Sequence, residues 1–278
     1  MAYPTIDAPY GLKPINLIGG LPFAGSTRAL PIVYGYATSI FYGDFVSILR
    51  GQIGRLAVTT AGGGAGLVGV FLGCSYTNPA TGQKTFSQYW PASTLAGDAI
   101  AYVSDDPNAL YRAAVVTTQG GTTIGSLAPA LVGQNLTASD LAGSAVTGNS
   151  KNAIFWTTTT TTVTYPLRLV GVVSDTAIAL GTAVYSSGTS TITTSANVTF
   201  AVPIGTQLSW IAPNGQLVDT GSYVTTAIAA NNTTSVVLSA APLTTPAASS
   251  TLVFTQYPEG IVKFNSPGFH EYQTALAV

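Results

Sequence analysis

Short runs of apolar and β-branched residues recur along the chain, and each run ends at glycine, aspartate, asparagine or proline. In the stretch 34–46, aromatic and β-branched residues lead to Gly43 and Asp44, and a second apolar run follows. Similar runs occupy residues 69–73, 98–103 and 167–173. Such runs are typical of strands, and many short strands joined by turns indicate a sandwich or small barrel. We therefore predict an all-β fold with a compact β-barrel or sandwich core.

The same pattern predicts two pairs of neighbouring strands. Residues 98–103 and 109–116 flank the turn-like sequence Asp-Asp-Pro-Asn at 105–108, so we expect them to pair as a hairpin. Residues 167–173 and 260–264 are distant in sequence, but the stretch between them has a different character. We expect these two strands to be neighbours in one sheet that an insertion interrupts.

The chain divides into three predicted parts. Residues 1–33 contain five prolines, which fix φ and remove backbone donors, so this segment is predicted to be an extended N-terminal arm and not a helix or central strand. Residues 34–176 plus 257–278 form the predicted β core domain. Residues 177–256 have their own strand and turn signals, and Asp219 is their only acid or base apart from tyrosines. They are predicted to form an inserted small β domain, a β knob.

Composition narrows the possible functions. Charged residues make up only 7% of the chain, against about 25% in an ordinary soluble domain. Depletion of charge is typical of surfaces covered by further copies or by a larger partner. The net charge of −1 does not indicate the excess of positive charge that is typical of nucleic-acid-binding proteins. No apolar stretch approaches the ~20 residues that span a membrane, and the N-terminus does not resemble a signal peptide.

Motifs that could carry chemistry are few. Residues 64–69 match Gly-x-Gly-x-x-Gly, but a dinucleotide site needs a helix after the glycines, and a strand-like run follows instead. Residues 105–108 could offer oxygen ligands to calcium, although their composition is equally typical of a turn, which we favour. The single cysteine, Cys74, excludes an internal disulfide and is predicted to be a small buried hydrophobe.

Hydrolytic machinery is not indicated either. The only histidine is His270, beside Glu271 near the C-terminus, and a hydrolytic triad needs a positioned base. Most of the ten acidic residues fall at predicted turns, where they cap backbone and do not form the facing carboxylates of a glycosidase. We predict that the protein is not an enzyme, with no catalytic residues, cofactor or metal site.

Several short strings resemble virion structural proteins of marine and freshwater tailed bacteriophages, of the capsid decoration or cement type. The most specific is Tyr-Ala-Thr-Ser-Ile-Phe-Tyr-Gly-Asp at 36–44. The other strings that carry the resemblance occupy residues 8–14, 25–28, 89–92, 101–107, 262–265 and 270–272. The resemblance covers residues 7–175 and 259–278, which implies that 177–256 is an insertion.

The resemblance implies a mechanical function without catalytic residues. Such a protein clamps the outside of an icosahedral head as a homotrimer, commonly at local three-fold positions, and stabilises it across the seams between capsomers. The implied partner is the major capsid protein. The protein would be made in the host cytoplasm and reside on the outer surface of the virion, with no direct contact to nucleic acid or membrane.

The predicted contact residues lie in the N-terminal arm. Its apolar side chains have no periodic partner within the arm, so we expect them to contact the capsid or a neighbouring protomer. The residues concerned are Leu12, Ile15, Leu17 and Ile18.

One alternative is an adsorption module on the head or tail surface that binds host glycans, with Trp210 and Tyr223 of the insertion as exposed stacking platforms. A surface depolymerase is a further alternative, which the sparse acids disfavour.

Overall fold

The structure is a computed structural model, and it describes residues 6–57, 66–156 and 165–265. The predicted all-β fold is confirmed, because regular structure in these residues consists of strands and two short 3-10 turns, Pro129–Leu131 and Ser174–Thr176. Neither turn has the length or apolarity needed to cross a membrane as a helix. In chain order, the strands are β1 (Lys13–Leu17), β2 (Arg28–Pro31), β3 (Phe45–Leu49), β4 (Gln52–Arg55), β5 (Leu67–Thr77), β6 (Lys84–Ser87), β7 (Ile100–Ser104), β8 (Ala109–Val116), β9 (Asn135–Ser139), β10 (Ala153–Phe155), β11 (Leu167–Val172), β12 (Ile178–Gly188), β13 (Thr191–Thr194), β14 (Gln207–Ile211), β15 (Leu217–Tyr223), β16 (Ser235–Val237), β17 (Thr251–Gln256) and β18 (Glu259–Phe264).

The first sheet closes on itself as a small barrel. Its pairings run from β8 to β10, β9, β11 and β18 and return to β8, and only the β8–β10 pair is parallel. Pairing of Leu167 with Phe264 and of Val172 with Gly260 joins β11 to β18. The predicted neighbour relation between these two distant segments is therefore confirmed. Side chains from every strand of the ring fill the barrel core, including Tyr111, Leu136, Ile154, Leu169 and Val262.

The second sheet has the order β2-β7-β5-β3-β4, with β6 also paired to β5. Its strand β5 is buried on both faces, since Val70 packs into the barrel core and Phe71 into a second core on the other side of the sheet. A strand buried on both faces has a continuous apolar sequence instead of an alternating one, as in the run Leu-Val-Gly-Val-Phe-Leu at its start. The two sheets are thus held together by strand β5.

The predicted hairpin of residues 98–103 and 109–116 is wrong. Strand β7 pairs with β2 and β5 in the second sheet, whereas β8 pairs with β1, β10 and β18 in the first. The turn at 105–108 carries the chain from one sheet to the other. Adjacent strands around a turn sequence are ordinarily hairpin partners, but here the neighbouring apolar faces belong to two different cores.

The described residues of the N-terminal segment, 6–33, contribute one strand to the first sheet and one to the second. Strand β1 lies along β8, and β2 lies along β7 at the end of the second sheet's strand order. Both strands contain a proline, Pro14 and Pro31, and a proline is tolerated in a strand at a sheet edge because it cannot donate to a further partner. Residues 13–17 and 28–31 of this segment are therefore paired with strands of their own chain.

The insertion is a small β unit with its own sheet, in the order β15-β14-β17-β12-β13-β16. These strands pair only with one another within the described part of the chain. The unit encloses a separate apolar core that includes Tyr185, Leu208, Trp210, Leu252 and Phe254. It lies between β11 and β18, the antiparallel pair that the sequence predicts it to interrupt.

Candidate interaction surface

The four predicted contact residues of the N-terminal segment fall into three levels of burial. Leu12 is fully buried in the barrel core, and Leu17 is partly buried against the same core. Ile15 is half-buried beside a surface groove, and Ile18 is 45% exposed. The prediction is therefore wrong for Leu12, because its own chain encloses it. Ile18 has the exposure that a contact residue needs.

Ile18 belongs to a short hairpin that we call the hairpin tip (residues 17–22). The Leu17 amide donates to the Leu21 carbonyl at 2.7 Å, and the Ile18 amide donates to the Asn108 carbonyl at 2.9 Å. Gly19 and Gly20 form the turn with positive φ values of 96° and 83°, a backbone region that glycine enters without steric cost. Leu21 is 64% exposed. The fold therefore presents two large apolar side chains on a tied-down loop.

A groove of about 450 Å³ lies beside β1, and we call it the cationic groove. Its floor is the Glu259 carboxylate, which is 1% exposed. Arg112 Nε donates to Oε1 at 2.9 Å and Thr176 Oγ1 donates to Oε2 at 2.9 Å. The Tyr10 hydroxyl and Arg112 Nη2 also donate to this carboxylate. Lys13 places its ammonium 4.9 Å from the centre of the Tyr10 ring.

Burial and these partners shift the ionisation of the groove residues. Burial, together with the hydrogen bond to Glu259, raises the pKa of Tyr10 far above its usual value. Burial alone would raise the pKa of Glu259, but the hydrogen bonds from Arg112, Tyr10 and Thr176 outweigh it and lower that pKa. The bond to Glu259 raises the pKa of Arg112. At neutral pH the site therefore holds a carboxylate and a guanidinium, with a neutral phenol.

A second groove of about 370 Å³ adjoins the first, and we call it the aromatic groove. Tyr42 lines both grooves. The other residues that line the aromatic groove include Phe86, which is 74% exposed, Tyr102, Leu72 and Gln88. The two grooves thus form one trough that is charged at one end and apolar at the other.

A buried carboxylate, Asp44, lies two residues after the shared lining residue Tyr42 and is fully enclosed. Its Oδ2 accepts the Phe41 amide at 2.8 Å and Arg55 Nε at 3.2 Å, and its Oδ1 accepts Ser150 Oγ at 2.6 Å. Arg55 also bonds Asp140 through Nη2. Burial raises the pKa of Asp44 and of Asp140, and Arg55 partly offsets the shift in both. This network ties the segment before β3 to the segment after β9.

Two glycines permit the close approach of the N-terminal segment to this network. The Leu12 amide donates to the Gly43 carbonyl at 3.1 Å. A Cβ atom on Gly11 would lie 3.0 Å from Gly43 Cα, and one on Gly43 would lie 2.8 Å from the Leu12 nitrogen. Both glycines also have positive φ. Residues 8–14 and 36–44, two of the segments that carry the resemblance to phage proteins, therefore contact each other in the fold.

The other sequence candidates form no chemical site in the described residues. Asp106 Oδ1 accepts the Asn108 amide at 2.7 Å and Asp105 pairs with Arg28 at 3.2 Å, so residues 105–108 form a turn. No group of three or more His, Cys, Asp or Glu side chains suited to a metal is found in the described ranges. Gly66 is a turn residue directly before strand β5, while residues 64–65, His270 and Glu271 lie outside the described residues.

The proposed glycan platforms are also corrected. Trp210 is buried in the core of the insertion. Tyr223 is half-buried and packs edge-on against Trp156, with ring centres 5.3 Å apart. A stacking platform needs an open ring face, so the prediction of two exposed platforms is wrong. Cys74 is buried as predicted, and burial raises its pKa to about 12.

Sequence reasoning missed the trough. Tyr10, Arg112 and Glu259 are far apart in the chain, and no local motif marks them as partners. The one available signal is the rarity of charge, since an isolated glutamate in an apolar strand needs a cation nearby. Comparisons of the chain with protein-family models, with curated proteins and with solved structures gave no significant match.

Proposed function

We propose that the protein is a capsid decoration, or cement, protein that binds the outside of a tailed-phage head and stabilises it across capsomer seams. The observation that carries the proposal is the hairpin tip, where Ile18 and Leu21 are exposed on a loop held by backbone hydrogen bonds. The resemblance of residues 7–175 to phage virion proteins supports the same function. Because Ile18 and Leu21 are only partly exposed in the free chain, their further burial against a capsid protein would stabilise the contact by about 1–2 kcal/mol each.

Weak contacts of this size act together when the binder is multivalent. We propose a homotrimer, because each trimer would then bring three hairpin tips to one local three-fold position. Once one tip is bound, the others bind at a high effective concentration, so avidity exceeds the affinity of any single contact. Outward pressure from packaged DNA separates capsomers, and a clamp across the seam opposes that separation without any chemical step.

Exposed apolar side chains elsewhere support association with further copies. Single exposed apolar residues are normal on a protein surface, but here they accompany a charged fraction of only 7%. The most exposed large hydrophobics besides the hairpin tip are Val146, Leu243, Phe86, Tyr34, Leu217 and Leu95. Mass measurement in solution tests the trimer, and a clean monomer at micromolar concentration contradicts a stable one.

Binding to heads tests the function directly. Expanded heads that lack decoration protein are mixed with the purified chain and sedimented, and bound protein is measured against concentration. The double variant Ile18→Asp, Leu21→Asp should lose most of its occupancy while keeping the wild-type melting temperature, because both side chains are already exposed. Leu243→Asp, at an 85% exposed site in the insertion, is the matched control and should bind as wild type. Unchanged occupancy of the double variant contradicts the proposed contact.

A further inference from the structure

We propose that the trough formed by the cationic and aromatic grooves binds an extended segment of the capsid partner in which acidic residues lie next to apolar ones. This inference rests on the proposed function for the identity of the partner. The trough itself can be tested without phage heads.

The charges of the cationic groove favour an anionic group. Two cations, Lys13 and Arg112, face one carboxylate, Glu259. Among the described residues, no acidic side chain lies within ion-pair distance of Lys13. Arg112 engages Glu259 through Nε and Nη2 and its side chain remains 36% exposed, although a guanidinium carries five donors. A carboxylate in the groove would meet both cations.

The groove is built before any ligand arrives. Glu259 is buried and accepts four hydrogen bonds, from Tyr10, Thr176 and twice from Arg112. These bonds hold the Tyr10 ring and the guanidinium in place, and the ring in turn holds the Lys13 ammonium. A preorganised site loses less side-chain entropy on binding.

The aromatic groove determines that the second half of the ligand is apolar. Beyond Tyr42 the lining changes to Phe86, Tyr102 and Leu72, which offer apolar surface without a charged group. An extended chain that places a carboxylate over Lys13 therefore meets apolar surface next. Because β1 leads from the cationic groove directly into the hairpin tip, the same partner can occupy the trough and cover Ile18 and Leu21. This continuity favours a protein segment over a free sulfated or carboxylated glycan.

The test uses capped peptides and the full-length protein. The probe has two glutamates followed by three apolar residues, and its control has glutamines in place of the glutamates. We expect the glutamate peptide to bind the wild type at millimolar affinity or better, measured by NMR titration at 50 mM salt. The glutamine peptide should bind about fivefold more weakly, because an exposed ion pair contributes little more than that, and added salt should remove the difference.

Two pairs of variants locate the binding. Lys13→Glu should weaken the glutamate peptide at least fivefold, whereas Lys151→Glu, the same charge change at another half-buried lysine, should not. Phe86→Ser should weaken both peptides, and Leu243→Ser should weaken neither. Equal effects of Lys13→Glu and Lys151→Glu overturn the site. Binding of a sulfated hexasaccharide without binding of the peptide shows a glycan site and also overturns the proposal.

The same variants separate this inference from the proposed function. If the wild type binds the peptide but not the heads, the trough stands as a peptide site and the proposed function fails. If the wild type binds heads and Lys13→Glu binds them equally well, the decoration function stands and the trough proposal fails. If Lys13→Glu lowers head occupancy and Lys151→Glu does not, both are supported.

Discussion

Two junctions within this chain are built in different ways. Where the barrel meets the second sheet, strand β5 contributes to both cores, and the buried network of Asp44, Arg55 and Asp140 joins the two parts. Where the barrel meets the insertion, no strand is shared in the described residues. The contacts there include a Ser126 Oγ bond to the Gly205 carbonyl at 3.2 Å, a Gln256 Nε2 bond to the Gly125 carbonyl at 2.7 Å and the Trp156–Tyr223 ring pair. Ile204 and Tyr223 also pack against the barrel core.

The contrast between the two junctions indicates which parts of the molecule fold together. A shared strand and a buried charge network cannot be half-formed without exposing apolar surface or leaving a charge unpaired. A neutral contact between two complete cores can open at small cost. A cavity of about 250 Å³ also remains between the barrel and the insertion, lined mainly by apolar side chains. We therefore expect the barrel and second sheet to unfold as one unit, and the insertion to be separable.

The largest expected effect is at Asp44. The variant Asp44→Ala leaves Arg55 without one of its two carboxylates and removes the acceptor for Ser150 and for the Phe41 amide. Breaking a buried charged pair in this way costs about 3–5 kcal/mol. Urea unfolding at neutral pH measures it. The control is Asp98→Ala, which removes an exposed ion pair with Lys84 and two exposed hydrogen bonds from Thr77 and should cost much less than Asp44→Ala. Equal effects of the two variants would show that the Asp44 network does not stabilise the fold as expected.

The next effect is a pH dependence at Glu259. Its pKa is lowered in the folded state, so its contribution to stability is present above the unfolded value of about 4.3 and is lost as the pH falls through the lower folded value. The variant Glu259→Gln should be less stable than wild type by about 1–3 kcal/mol at pH 7. That difference should shrink below about pH 4. Urea midpoints between pH 7 and pH 3 measure it, and a constant difference would contradict the assignment.

Asp44 and Asp140 should behave in the opposite sense. Burial raises the pKa of both carboxyl groups, so the folded state takes up their protons at higher pH than the unfolded chain does. The part of their contribution to stability that depends on ionisation is full at low pH and is lost as the pH rises through the folded pKa. The hydrogen bonds that Asp44→Ala removes are a separate part of the contribution of Asp44. As the pH falls, the contribution of Glu259 to the stability of the wild type decreases while those of Asp44 and Asp140 increase. The effect of Glu259 alone is therefore obtained by comparing the wild type with Glu259→Gln.

A smaller effect is expected at the junction with the insertion. Gly205 has a φ of 85°, and an added Cβ would lie 2.2 Å from the Ser126 carbonyl oxygen. Gly215 has a similar φ of 80° but no atom within 4 Å of an added Cβ. Both Gly205→Ala and Gly215→Ala should carry a backbone cost of about 1–2 kcal/mol. Only Gly205→Ala should also separate the insertion from the barrel, visible as two calorimetric transitions. A single transition in both variants contradicts a separable junction.

The smallest expected effect on the core comes from removing the insertion itself. Replacing residues 177–256 with a short Gly/Ser linker joins the ends of β11 and β18, where Val172 already faces Gly260. The change in loop closure costs about 1 kcal/mol or less, and the lost Trp156–Tyr223 pair about 0.5–1.5 kcal/mol. The shortened chain should remain folded, with Cys74 as protected from alkylation as in the full chain. An insoluble product, or a reactive Cys74, would show that the insertion is part of the core.

Much of this architecture could be predicted from local sequence. Apolar runs ended by turn residues identified strands such as β5 and β11, and the low charge of 177–256 marked the insertion. The pairing of β7 and β8 could not be predicted correctly, because a turn sequence does not say whether the following strand stays in the same sheet. The burial of Leu12 was missed for a related reason, since its partners lie in the barrel and not in the arm.

The trough could not be predicted from the sequence. Glu259 opens β18, Arg112 lies in β8 and Tyr10 precedes β1, so only the pairing of β8 with both other strands brings them together. No spacing rule connects them. The exposure of Ile18 could be predicted only in part, because the Gly19–Gly20 turn indicated a loop but not that its apolar neighbours face solvent.

The proposed decoration function is tested most directly by cryo-EM of expanded heads mixed with the purified chain. We expect density on the outer surface at capsomer seams, with three copies around each local three-fold position, the hairpin tip against the shell and the insertion away from it. Heads without added density, or density in which Ile18 and Leu21 face solvent, would contradict it.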